Sequence, residues 1–307
     1  MVPANLGSSK EQDRPDDLSC LDDTQPSHAY APAHTRWSRR FRAVRLGVVL
    51  GLVLGFYLFF PGRINVLLLG IDRTPVGSAV GRSDSLILTT AMPHRGYFGM
   101  LSIPRDLWVT IPGYGVNRIN AAHFFAEADR PGSGPGASVA TVAQNFGLDL
   151  DFYIRLQFDG FRSFVDAMGG VPITLEQSVG KLPTGEIVLS GEQALAYVRD
   201  RTGTDDFIRM AHGQAFLKAL LGHIKNPIIW PRLPVAFFKL ALAIDSNLPI
   251  WIWPRYAINW LRAGPEGIDS RLINREMAQG FTTSEGAQVL APDWNRINPV
   301  LLDMFGQ

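Results

Sequence analysis

The hydropathy pattern divides the chain at one uninterrupted apolar run. Leu46 to Phe60 (LGVVLGLVLGFYLFF) holds no charged residue. With Ala43, Val44 and a snorkelling Arg45 the run reaches about 18 residues, close to what a helix needs to cross the hydrocarbon core of a bilayer. Arg36, Arg39, Arg40, Arg42 and Arg45 stand directly before it, and Pro61-Gly62-Arg63 after it lacks a small-x-small cleavage pattern. The pattern predicts an uncleaved signal anchor, oriented by its basic flank with the N-terminus in the cytoplasm. Three regions are expected: a disordered cytoplasmic tail with its basic stop over residues 1–42, a transmembrane signal anchor over 43–61, and an extracytoplasmic domain over 62–307. The chain is then a single-pass protein of the cell membrane.

Beyond the anchor the period changes repeatedly. Ile64–Gly70 (INVLLLG) is continuously apolar and reads as a buried strand. Asp84–Ala91 and Tyr97–Ile103 read as two more, joined by a turn at Pro93–Gly96. Residues 117–126 and 137–146 have helical spacing and are split by the loop DRPGSGPG. Residues 152–158 alternate as a strand, 161–168 form a short amphipathic helix stopped by Gly169-Gly170, and 171–175 form a strand. Ser190-x-x-Gln193 is a capping box opening a helix toward Tyr197, and a further helix is expected over about 206–224. A Pro-rich stretch, 226–234, begins a C-terminal part that reads as helical to about Phe305. The order of elements predicts an α/β fold, a mixed central sheet with helices on both faces.

Composition refines this picture at few points. Of 307 residues 46% are hydrophobic and 19% charged, which excludes a disordered chain, a coiled coil and a polytopic transporter. The single cysteine, Cys20, excludes an intramolecular disulfide framework and a multi-cysteine metal site. The net charge of +1 conceals a partition. Residues 61–307 carry 22 basic and 22 acidic residues, so any cationic site there is a local concentration on a neutral surface. No nucleic-acid partner is expected, since whole-molecule charge is near zero and residues 1–45 hold no DNA-binding helix pair. Of the 29 basic residues 24 are Arg, the forked side chain suited to phosphate.

Three features are candidates for chemistry. Asp72 ends the first predicted strand and Asp84 begins the second, with Arg82 between them and Arg105 just past the third. If these strands are neighbours, both carboxylates lie at one end of the sheet, where α/β folds place ligands. Mg²⁺ often takes one or two carboxylates plus substrate phosphates, although a solvated turn shows the same pair. Arg199-Asp200-Arg201 with Arg209 beyond could clamp an anion if extended, or be a solvated helix end. Finally, Trp230, Trp251, Trp253 and Trp260 crowd one stretch, a pattern shared by core packing and membrane interfaces. His94, His123, His212 and His223 show neither ligand nor triad spacing.

The strings GIDR, GRSDSLIL, LSIPRD, RINAA, DAMGGV and ALAYVRDR, in that order, resemble the LytR-CpsA-Psr family over about residues 64–306. The resemblance implies a phosphotransferase of the α-β-α fold. Such an enzyme moves a glycopolymer from a polyprenyl (undecaprenyl-type) pyrophosphate carrier to a peptidoglycan acceptor at the outer membrane face, with Mg²⁺ or Mn²⁺ at the pyrophosphate and membrane lipid as a further partner. It assigns Asp72 and Asp84 to the metal. It makes Arg105, Arg199 and Arg201 catalytic and adds Arg82, Arg118 and Arg209 to the pyrophosphate set. Arg118 stands where the family commonly has Lys, and His212 where another Arg is usual. Two other readings stay open: a polyprenyl pyrophosphate phosphohydrolase, with water as acceptor, and a non-enzymatic lipid-binding regulator of envelope biogenesis.

Overall fold

The computed structural model describes residues 34–71, 83–200 and 206–306. The chain divides into two units, one ending at Val53 and one beginning at Leu54. Among the described residues the first is part of helix α1 (His34–Phe59). Phe41–Phe59 within it is long and apolar enough to cross a membrane, and none of it is buried. That fits a single-pass anchor. The helix starts well before residue 43, because the Arg-rich run ahead of the apolar segment is itself a good helix former.

The second unit continues with strands β1 (Ile64–Ile71), β2 (Ser83–Met92) and β3 (Tyr97–Ile103), then the hairpin β4 (Trp108–Ile111) and β5 (Gly115–Arg118). Helices α2 (Ala121–Asp129) and α3 (Gly134–Phe146), strand β6 (Phe152–Gln157) and helix α4 (Phe158–Met168) follow. After them come the hairpin β7 (Val171–Leu175) and β8 (Gly185–Leu189), then helices α5 (Gly191–Arg199) and α6 (Asp206–Lys225). A 3₁₀ turn at Pro227–Arg232 leads to α7 (Leu233–Ala243), β9 (Ile244–Ser246) and α8 (Trp253–Gly267), which breaks at Gly264. The chain closes with β10 (Ile268–Leu272), β11 (Ala278–Thr282), β12 (Gln288–Pro292) and α9 (Trp294–Phe305).

Six strands form one sheet in the order β10-β3-β2-β1-β6-β9. β1 pairs in parallel with β6 and β10 with β3, while the other neighbours are antiparallel. The expected mixed sheet is therefore present. The period of two explains how both faces are covered. Leu67, Leu69 and Ile71 of β1 point into a core shared with Val142 and Phe146 of α3 and Leu301 of α9. Ile64 and Val66 point the other way, toward Leu221 of α6 and Tyr256 of α8. A separate core lies among α4, α5, α6, α7 and the β7–β8 hairpin, with Phe161, Phe164, Met168 and Phe216 at its centre.

Local chemistry sets the elements that matter below. The capping box is formed: Gln193 N donates to Ser190 Oγ at 3.3 Å and Ser190 N to Gln193 Oε1 at 3.0 Å, fixing the start of α5. Buried Glu127 accepts from Gly132 N and Gly134 N, each at 2.9 Å, which orders the Pro/Gly loop. The helix expected over 117–126 is corrected: 117–118 end a β-hairpin and α2 begins at Ala121. Gly113 and Gly115, both at positive φ, make the turn that lets Trp108–Ile111 pair back. The C-terminal part is not all helix either, since β9 to β12 are strands of three to five residues, too short for their period to stand out.

Helix α4 crosses α7 at Gly160, where an added Cβ would stand 1.8 Å from Ala243 Cβ. Gly160→Ala is therefore expected to cost about 1–3 kcal/mol by overpacking, read as a lower urea midpoint. His212 stacks on Tyr197 with ring centroids 4.5 Å apart, and burial lowers its pKa. Burial lowers that of His223 as well. Both favour the neutral form in the folded state, whereas the unfolded chain takes up protons near the ordinary value of about 6.5. Their contribution is whole above that pH and is lost as pH falls through the folded-state values. A His212→Gln, His223→Gln double variant should show a flatter stability profile between about pH 7 and pH 5 than the parent.

Candidate functional site

Strand register builds the site. Leu86 of β2 stands opposite Ile103 of β3 in an antiparallel pair. Just past that pair the two chains stay close, and Arg105 Nη1 donates to Asp84 Oδ1 at 2.9 Å. Both lie at the end of the sheet where β1 finishes, since Gly70 pairs with Ser85 and Ile71 with Ser83. Arg209, in the first turn of α6 and 5% exposed, brings its Nη1 to 3.8 Å from the same Asp84 oxygen. The Arg105 and Asp84 side chains are about one-fifth exposed, so the pair is partly desolvated at a rim open to solvent.

Asp106, the next residue along, links two arginines. Its Oδ2 lies 3.5 Å from Arg105 Nε and its Oδ1 3.4 Å from Arg118 Nε. Arg118, at the end of β5, also donates to the carbonyl of Gln288 on β12 at 2.9 Å. Arg199 closes α5, its guanidinium 5.1 Å from the centroid of the Phe158 ring. A cavity of about 440 Å³ is lined by Asp84, Ser85, Ala196, Val198, Arg199, Asp200 and Arg209. A second, about 600 Å³, is lined by Arg105 with Asp106, Arg118, Phe207, Phe281 and Gln288. Arg105 lines the second hollow, and its ion pair with Asp84 links it to the first. Among the described residues the rim sets four guanidinium groups against Asp84, Asp106 and Asp200.

Of the residues singled out in sequence, Asp84, Arg105 and Arg209 come together directly. Arg118 joins them through Asp106, and Arg199 shares a cavity with Asp84 and Arg209. Asp72, Arg82 and Arg201 lie outside the described residues. Arg199 is the last residue of a helix, and Asp200 after it leaves helical geometry. His212, which stands where the family usually has Arg, packs on Tyr197 with its pKa lowered by burial, so it adds no full charge at neutral pH. Asp106 was missed although it sits inside the S-I-P-R-D string. Gln288 carried no signal, because its contribution is a backbone carbonyl from a short strand.

The donors available for a divalent ion are hard oxygens. They are the Asp84 carboxylate and, next in the chain, the buried Ser83 hydroxyl, which has no hydrogen-bond partner among the described residues. No group of three His, Cys, Asp or Glu occurs among the described residues. This donor set suits Mg²⁺ in kind, provided substrate phosphates complete the shell.

The sequence and fold both have relatives. The chain is 42% identical over 142 residues to the polyisoprenyl-teichoic acid–peptidoglycan teichoic acid transferase TagU of Oceanobacillus iheyensis, covering 45% of this chain and 43% of that protein. It is 34% identical over 185 residues to the transferase of the same description, TagT, of Bacillus subtilis, covering 55% of each. It is 29% identical over 196 residues to the regulatory protein MsrR of Staphylococcus aureus, covering 61% of this chain and 57% of that protein. The chain thus spans about half the length of the curated relatives it matches. The crystal structure of B. subtilis TagV superposes with a TM-score of 0.65 at 25% identity, over 80% of this chain and 97% of that one. TagT bound to LIIa-WTA superposes with a TM-score of 0.64 at 23% identity, over 81% and 93%. With the LytR_cpsA_psr family model matching residues 61–300, the chain belongs to the LytR-CpsA-Psr family.

Proposed function

We propose that the chain transfers a glycopolymer from a polyprenyl (undecaprenyl-type) pyrophosphate carrier to peptidoglycan, with Mg²⁺ assisting, at the outer face of the membrane that α1 crosses with its N-terminus in the cytoplasm. The observation that carries this reading is the convergence of Arg105 and Arg209 on Asp84 beside a cavity that also holds Arg199. The names of the relatives support it, and they point to an anionic polymer of the teichoic acid kind.

Phosphoryl transfer asks for positioning and charge neutralisation more than for covalent chemistry. A pyrophosphate diester carries about two negative charges, and Arg forks meet phosphate oxygens in pairs. Arg105 is held from two sides, by Asp84 and by Asp106, so its fork is oriented before substrate arrives. Arg209 is buried, and a phosphate that reaches it displaces little water from it. Arg199, braced on Phe158, closes the same cavity. Asp84, with Asp72 in the adjoining motif, would hold Mg²⁺, which supplies Lewis-acid polarisation of a phosphate oxygen when bound. The second hollow, lined by Arg105 itself, gives an acceptor hydroxyl access to that arginine.

Losing one preorganised donor of this kind costs about 2–4 kcal/mol in the barrier, or about 30- to 1,000-fold in rate. Full-length Arg105→Ala is expected to lose turnover in that range while keeping its melting temperature within a few degrees of the parent. Arg105→Lys should recover only part, because the charge returns and the fork does not. With a polyprenyl-pyrophosphate-linked glycan and a peptidoglycan oligomer supplied together, product should be joined to the oligomer, and chelation of divalent ions should suppress it. Glycan released free, with none attached, would make the chain a hydrolase. Product formation unaffected by Asp84→Asn would remove the metal assignment.

A further inference from the structure

The site occupies one end of the sheet, and the opposite end has a surface chemistry of its own. That end holds the start of β1, the Pro93–Gly96 turn and the start of β6, as the pairings of Ile64 with Ala91 and Val66 with Phe152 require. Strand β9 runs antiparallel to β6, with Ile154 opposite Ser246, so the chain leaves β9 at this same end. Asn247 fixes the exit: its side chain accepts from Tyr153 N at 2.8 Å and donates to Asp151 O at 2.7 Å. Ile250 and Trp251 follow, 78% and 65% exposed.

Helix α8 then packs over one face of the sheet and reaches this end. Tyr256 Oη is 2.7 Å from Thr89 Oγ1, Asn259 donates to Tyr97 O at 2.5 Å, and Arg262 donates to Pro93 O at 3.1 Å. The helix also grips the last turn of α1. Arg255 donates to Phe60 O at 2.8 Å and stands over the Tyr57 ring, and Arg262 stands 4.8 Å from the Phe59 ring centroid. Arg63, His94 and Arg95 belong to the same end, as do Asp149 and Asp151 beside Arg63. Exposed Trp and Ile beside several arginines, continuous with the outer end of a membrane-spanning helix, match the headgroup layer: apolar rings at its boundary and guanidinium groups among anionic phosphates.

We propose that the 249–252 turn, the first two turns of α8 and the Pro93–Gly96 turn form an interfacial platform that rests on anionic phospholipid headgroups. The occupant is the surface of the membrane that α1 crosses. The platform sets the sheet upright on the bilayer. The eight residues of β1, at about 3.3 Å each, then hold the Asp84–Arg105 rim about 26 Å beyond the platform. A lipid-linked substrate reaches that rim only by leaving the headgroup layer. A rival orientation would use the outer face of α7, where Val235, Phe238 and Leu242 are exposed, and would tilt the sheet toward the bilayer.

The two orientations are separable in the full-length chain. On a Cys20→Ser background, single cysteines replace Phe60, Phe238, Trp251 or Ser284, each carrying an environment-sensitive fluorophore. The chains are placed in nanodiscs of phosphatidylglycerol with phosphatidylcholine that contain headgroup-level quenching lipids. Ser284 is exposed in the β11–β12 turn beyond the rim and serves as the distant control. The label at 251 should be quenched at least half as strongly as that at 60, and several-fold more than those at 238 and 284. Exposed Arg95→Glu should lower quenching at 251 in phosphatidylglycerol discs and leave it unchanged in phosphatidylcholine discs. Quenching at 251 no greater than at 284, or exceeded by that at 238, would overturn the platform. Quenching at 251 that ignores both Arg95→Glu and lipid charge would overturn its assignment to anionic lipid.

Discussion

The pairing of β2 with β3 in one register is the constraint on which the site depends. With Leu86 opposite Ile103, Asp84 and Arg105 meet at 2.9 Å. A slip of β3 by one residue would turn the side chains that follow it to the opposite face and break this pair. Register is secured by apolar residues on both sides, because Leu88 and Leu101 are fully buried and Thr89 is bonded to Tyr256. The catalytic reading therefore rests on ordinary packing. The core fixes where two charged side chains emerge, and the ends of β5, α5 and α6 need only deliver Arg118, Arg199 and Arg209 to them.

Each of those deliveries has its own device. The capping box fixes where α5 begins, and nine residues later the helix ends at Arg199. Asp106 ties Arg118 to Arg105 and so joins the β4–β5 hairpin to the rim. Arg209 enters on the first turn of α6, a helix whose other contacts reach both the sheet and the α4–α5 core. Several positive groups at short range would repel one another, and the interleaved Asp84, Asp106 and Asp200 offset this until substrate phosphates supply further negative charge.

Much of this was legible in the sequence. Long, continuously apolar strands such as Ile64–Gly70 declare themselves, and the order of strands and helices gave the mixed sheet. Asp84 and Arg105 were legible because charged residues abut strand ends in R-S-D and S-I-P-R-D, whereas Arg118 entered only through the family resemblance. The short strands β9 to β12 were not legible, since three to five residues carry too little period, and with them went the carbonyl of Gln288 that holds Arg118. Asp106 was overlooked because a carboxylate next to an arginine looks like a solvated pair until its second arginine is seen. The Trp-rich stretch was ambiguous in sequence. Its residues separate in the fold, Trp253 and Trp260 against the core and Trp251 outward.

The central claim, that the arginines gathered on Asp84 hold a pyrophosphate, is tested most directly by binding. Titration calorimetry of a short-chain prenyl pyrophosphate into the full-length chain, with and without Mg²⁺, isolates this step from turnover. The rim as described predicts saturable binding strengthened by Mg²⁺, and an affinity at least tenfold weaker for Arg209→Gln. Equal affinity in the parent and in Arg209→Gln, with or without Mg²⁺, would contradict it.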